Sequence, residues 1–100
     1  MYKIYFADMG KATGDHNMGK RPVVSLNTED EDYVRVMEVT SRMKDDEFHV
    51  RMNNFLVHGY CDVSHTYRIK KKYLLDWIRD CTVSEMEGIN EKRFGKPIPN

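Results

Sequence analysis

Arg21 stands where a glycine-bearing loop meets a strand. Gly14-Asp15-His16-Asn17-Met18-Gly19 precedes Lys20-Arg21, and Pro22-Val23-Val24 follows. Glycine lets backbone turn or approach a ligand closely, and proline starts the next element with φ fixed and no N–H to donate. Lys20 and Arg21 are therefore aimed off the beginning of a buried strand. A guanidinium is a planar, permanently charged fork that can hold two phosphate oxygens; the same side chain can instead make a plain surface ion pair. Two later stretches carry complementary groups. In Val39-Thr40-Ser41, the Thr40 hydroxyl either donates to an anion from a strand end or belongs to an ordinary β-branched strand residue. In Cys61-Asp62, the Asp62 carboxylate is a base, an orienting partner for a histidine or arginine, or a turn residue. His16 titrates near neutral pH and suits an acid or a base, unless it is only an exposed loop histidine. Together these residue types suit stabilising a phosphate while moving protons at neutral pH.

Other polar residues rank lower. If the segment after Asp62 is a strand, Asp62, Ser64 and Thr66 share a face and His65 points away, which sets His65 behind His16. His49 and His58 have no motif around them and read as structural or surface residues. Arg68-Ile69-Lys70-Lys71-Lys72 is the densest basic run, with Lys20-Arg21 and Arg42-Lys44 smaller ones. Such runs are solvated faces or phosphate contacts, and Tyr60 or Tyr67 could stack on bases beside them.

The elements that must position these groups follow from pattern. The 100 residues suffice for one core and not for two. Sixteen basic residues balance sixteen acidic ones, which argues against coating nucleic acid by net charge alone. Cys61 and Cys81 lack the spacing of a zinc or redox motif and read as reduced thiols in a cytoplasmic chain. No segment is long and apolar enough for a membrane span. Tyr2–Asp8 and Pro22–Leu26 read as strands with a loop over Met9–Lys20 between them. Tyr33–Thr40 alternates, with Tyr33, Arg35 and Met37 on one face and Val34, Val36, Glu38 and Thr40 on the other, and the pattern weakens at Glu38. Phe48–Met52 and Phe55–Tyr60 read as a hairpin about Asn53-Asn54, and Cys61–Ile69 as further β structure. Tyr73, Leu74, Trp77, Ile78 and Cys81 fall in a helical stripe. A second helix begins near Thr82 or Ser84, with Ser84 and Glu87 at capping-box spacing and Val83, Met86 and Ile89 inward. The polar sequence after Asn90 ends in a tail. The fold class expected is mainly β with a C-terminal helix (α+β): a strongly bent antiparallel sheet or partly open barrel, capped by one or two short helices.

With these elements placed, the chain resembles the MazF/PemK family of toxin endoribonucleases. The likeness rests on Tyr5-Phe6-Ala7-Asp8, Gly14 and Gly19, Arg21-Pro22-Val23-Val24, Val39-Thr40-Ser41, and Cys61-Asp62 with His65-Thr66. It implies an SH3-like toxin domain over 1–92 with a flexible tail at 93–100, a homodimer, and metal- and cofactor-independent cleavage of single-stranded RNA by the ribose 2′-hydroxyl. It also implies neutralisation by a small acidic antitoxin. It favours Arg21 as the catalytic phosphate-holding residue with Thr40 beside it, and leaves Asp62 and, on its own chemistry, His16 as the catalytic acid–base candidates. Asn17, Lys20, Ser41, Arg42, Ser64, His65 and Thr66 are the implied RNA contacts. The chain departs from the family where many members carry a glutamate and a glutamine in the loop, here His16 and Asn17. An arginine found in some members two residues before the aspartate is Tyr60, and a later one is His65. Two other readings remain open: a CcdB-like toxin that poisons DNA gyrase through Trp77 and Ile78 of a C-terminal helix, and a catalytically inactive SH3-like module that binds RNA or protein.

Overall fold

The computed structural model describes residues 2–26, 30–42, 46–52 and 56–95. β1 (Lys3–Asp8) pairs with β2 (Lys20–Ser25) on one edge and with β7 (Leu74–Asp80) on the other. β2 pairs in turn with β3 (Tyr33–Thr40). The far edge of β3 is shared. Its first half pairs with β6 (Tyr67–Lys70) and its end with β5 (Tyr60–Asp62), which continues to β4 (His49–Arg51). The result is a seven-stranded antiparallel sheet in the order β4-β5-β3-β2-β1-β7, with β6 off that path and no closure into a barrel.

Both faces of the sheet are covered, because alternate side chains of each strand leave on opposite sides. Ile4, Val24, Met37, Val39, Val50 and Cys61 pack with Ile89 of α2 (Val83–Phe94). On the other face Ala7, Val23, Val34, Val36 and Ile69 pack with Met9, with Met18 and Tyr73 against them. The expected alternation of β3 is present. Its β2 register runs from Val36 to Glu38 without a shift, so Glu38 continues the Val34–Val36 face, with Thr40 next along the strand.

Three sequence expectations are corrected. The stripe Tyr73–Cys81 is not a helix. It is the strand β7 after one 3-10 turn, and the helical spacing comes from two bulges. Five β1 residues, Lys3–Ala7, face the seven residues Leu74–Asp80, with register shifts between Ile4 and Tyr5 and between Phe6 and Ala7. Each extra residue flips the facing of those that follow, so Leu74 reaches one core and Ile78 and Cys81 the other. The segment Met9–Lys20 is not an irregular loop. Asp8 caps α1 (Met9–Thr13) by accepting from the Lys11 N–H, Met9 is buried, and Gly14 closes the helix at φ 79°. Asp15 then caps a 3-10 turn, His16–Met18. Finally, the capping box of α2 is Thr82–Glu85 rather than Ser84–Glu87. Ile89 is buried and Met86 packs on the core, but Val83 faces solvent. Asn53, Asn54 and Phe55 of the expected hairpin, and residues 96–100 of the expected tail, lie outside the described residues.

Glu85 decides where α2 starts because it is also the buried partner of Arg79. The guanidinium donates to both carboxylate oxygens, at 2.7 and 2.8 Å, and those hydrogen bonds hold Arg79 above the usual arginine range against the pull of burial. Lys92 fastens the far end of α2 by donating to the carbonyls of Asp46 and His49. Cys61 and Cys81 are free and buried, and burial pushes the Cys81 thiol up to about 12. Among the described residues no helix is long and apolar enough to cross a membrane.

Candidate active site

β2 begins and β3 ends at the same rim of the sheet. Val23 pairs with Glu38, and beyond that last pair Arg21 and Thr40 line one cleft between the two strand ends. A cleft of about 570 Å³ opens there, lined by Lys20, Arg21, Pro22, Val39, Thr40, Ser41, Arg42 and His58. Among the described residues, three cations and no carboxylate line it, which suits an anion. The Thr40 hydroxyl oxygen accepts from the Arg42 N–H at 3.2 Å, so the hydroxyl proton remains available to donate.

The cleft depends on one close approach. Gly59 has φ +136°, and a Cβ built on it would overlap the Thr40 carbonyl oxygen and crowd Val39. Only glycine lets β5 leave its turn so close to the end of β3. Gly59→Ala is expected to destabilise the fold by about 2 kcal/mol from backbone strain, read as a lowered urea midpoint with an unchanged slope. An unaltered midpoint would mean that this approach is not required.

Arg21 is already oriented. Its Nη1 donates to Glu38 Oε2 at 2.7 Å, its Nε to the Met18 carbonyl at 2.6 Å, and its Nη2 makes only a 3.5 Å contact with the Asn17 carbonyl. The 3-10 turn thus braces the guanidinium from behind with two carbonyls, and the Nη2 side keeps donors for a ligand.

Asp62 lies on the same sheet face, reached across β5. Thr40 pairs with Tyr60 and Tyr60 with Arg51, while Asp62 pairs with His49. Since Val39, Cys61 and Val50 turn to the helix side, Thr40, Tyr60 and Arg51 form one cross-strand row on the opposite face, with Asp62 and His49 in the next. Asp62 Oδ1 accepts from the Ser64 N–H at 2.9 Å and from its hydroxyl at 2.5 Å. β5 therefore stops in a turn at Asp62, and the expected strand face of Asp62, Ser64 and Thr66 does not form. Tyr67 of β6 pairs with Val36 of β3. Its phenol is pushed up by burial first and then by the carboxylates of Glu38 and Asp62, with Arg21 pulling the other way.

Of the residues expected from sequence, the structure gathers Lys20, Arg21, Thr40, Ser41 and Arg42 at one cleft. His16 is exposed on the 3-10 turn, and Asn17 meets Arg21 through its backbone rather than its side chain. His65 stacks loosely on Tyr67 at 6.0 Å, and the Thr66 hydroxyl accepts from Arg35. Glu38, His49 and His58 were passed over in the sequence. Glu38 could have been found as the polar residue closing an apolar strand face beside a basic one. Nothing in the sequence shows that His49 faces Asp62, since that follows from a strand pairing.

No protein-family model matches the sequence, and no curated protein matches it either. Solved structures do match in shape. An endoribonuclease in complex with its cognate antitoxin, from a mycobacterial species, superposes with a TM-score of 0.75 at 20% identity, over 97% of this chain and 95% of that one. MazF from Deinococcus radiodurans gives 0.76 at 18% identity, over 91% and 88%. The chain has the MazF fold. The MazE–MazF structure from Deinococcus radiodurans agrees, with a TM-score of 0.73 at 16% identity, over 95% and 93%. On this MazF fold the sheet rim that carries Arg21 and Thr40 is basic, and of the run Arg68–Lys72 the first residue is ion-paired. Arg68 pairs with Asp30 at 3.2 Å and lies 3.7 Å over the Tyr33 ring. Trp77 and Ile78, on which the gyrase reading depends, lie on β7 rather than on a helix.

Proposed function

We propose that this chain is a toxin-type endoribonuclease that cleaves single-stranded RNA without a metal, the 2′-hydroxyl attacking the adjacent phosphorus. The observation that carries this reading is the anion-suited cleft in which Arg21 and Thr40 stand together on a MazF fold. Arg21 holds the equatorial phosphate oxygens as charge builds, and the Thr40 hydroxyl donates to the same phosphate. Asp62 serves in proton transfer on the same sheet face, one cross-strand row further on. Lys20, Ser41 and Arg42 take flanking phosphates and sugars, and Asn17, Ser64, His65 and Thr66 line the path of the strand to either side. The protein works in the cytoplasm as a homodimer, and a small acidic antitoxin silences it by covering the basic cleft.

The test is cleavage of a single-stranded RNA in EDTA, beside a copy carrying a 2′-deoxyribose at the cut position. Expected are cuts in the all-ribose strand only, leaving a cyclic phosphate on one product and a 5′-hydroxyl on the other. Cutting of the 2′-deoxy strand, or a need for added divalent metal, would rule out this chemistry.

A further inference from the structure

Asp62 has a neighbour that no motif marked. His49 Nδ1 lies 2.6 Å from Asp46 Oδ1, and its Nε2 lies 4.0 Å from Asp62 Oδ2. The imidazole is largely buried, with 13% of its side chain exposed, and Asp62 is also mostly covered, at 19%. A carboxylate only accepts, so the 2.6 Å contact places a proton on Nδ1. Asp46 is itself fixed, since the same oxygen accepts from the Phe48 N–H at 2.9 Å. Nε2 is therefore the nitrogen left without that partner, and it faces Asp62. Among the described residues, the charged groups around His49 are Asp46 from the turn before β4, Asp62 from β5, and Lys92 from α2, whose ammonium is taken up by the Asp46 and His49 carbonyls.

We propose that His49 and Asp62 are the acid–base pair of the ribonuclease, with His49 as the general acid. This rests on the function proposed above. The separation of 4.0 Å is too long for a direct hydrogen bond. It is of the order of the span between two oxygens in line across one phosphorus, so the two groups can serve the entering and leaving oxygens at once. The Asp62 carboxylate takes the proton of the 2′-hydroxyl, and the 2′-oxygen forms its bond to phosphorus. The bond from phosphorus to the 5′-oxygen breaks, and imidazolium Nε2 gives its proton to that oxygen. Asp62 then returns a proton to His49, so no net proton is consumed and no co-reactant is needed. Asp46 stays ionised and supports the imidazolium, as an orienting carboxylate does for other catalytic histidines.

The test uses the full-length protein, an ordinary RNA, and the same RNA with sulfur in place of the leaving 5′-oxygen. A thiolate leaves without protonation, so the second substrate needs no general acid. His49→Gln is expected to cut the ordinary RNA at least roughly 10²-fold more slowly, to lose the fall in rate on the alkaline side of the pH profile, and to recover to within a few-fold of wild type on the sulfur substrate. Equal loss on both substrates by His49→Gln would overturn the proposal and leave the ribonuclease reading standing. Wild-type protein that cuts neither substrate in EDTA would end both. Should His49→Gln unfold, Asp46→Asn serves in its place, since it removes the support of the imidazolium and should show the same recovery on sulfur.

Discussion

Arg21→Ala is expected to lower kcat/KM for single-stranded RNA by roughly 10³-fold, the scale seen when a preorganised donor to a developing oxyanion is removed. The expectation follows from how the guanidinium is held. Glu38 and the Met18 carbonyl fix it from two sides, so it meets the phosphate without reorganising, and the Nη2 donors gain most as charge accumulates on the equatorial oxygens. The fold should survive. Arg21 and Glu38 keep 28% and 18% of their side chains exposed, and such partly hydrated pairs contribute about 1 kcal/mol or less. The thermal midpoint should therefore fall only slightly. Arg21→Lys should recover little, because an ammonium lacks the fork that meets Glu38, Met18 and a phosphate together. Cleavage within a few-fold of wild type would remove Arg21 from the mechanism. RNA bound but not cut by either protein would favour the inactive binding module.

The sequence exposes strand positions and the basic rim far better than it exposes pairings. Arg21 and Thr40 were legible because each sits at the end of an alternating apolar run, where chain direction alone sets the side chain off the core. Asp62 was legible as a residue, but its neighbour was not. His49 lies thirteen positions away (62 − 49), and what joins them is the β4–β5 register. The strand β7 was misread for a related reason. Period-2 patterning holds only while the register is unbroken, and two bulges against β1 turned it into a helical stripe. The segment after Asp8 was misread because its glycines suggest a loop, while the structure uses Gly14 as a helix end and Gly10 where the chain passes close to Gly19. In each case a contact distant in sequence overrode a correct local signal.

The second large effect concerns stability, at the joint between β7 and α2. Arg79→Met is expected to cost about 3–4 kcal/mol of folding free energy, because it takes the arginine's hydrogen bonds and charge from the Glu85 carboxylate, which is only 3% exposed. Glu85 cannot move to water without giving up the capping box, in which its carboxylate accepts from the Thr82 N–H at 2.8 Å and its own N–H donates to the Thr82 hydroxyl at 3.1 Å. The helix start and the ion pair therefore fail together. The double variant Arg79→Met/Glu85→Gln tests the cause. Glutamine removes the buried charge yet can still accept from the Thr82 N–H, so the double variant should regain most of the loss. Urea denaturation of the two variants and wild type measures this directly. If the double variant is no more stable than Arg79→Met, packing of the arginine stem rather than an uncompensated charge holds α2 on the sheet. If it recovers, the site is indirectly affected too, since α2 fixes through Lys92 the turn that carries Asp46 and His49.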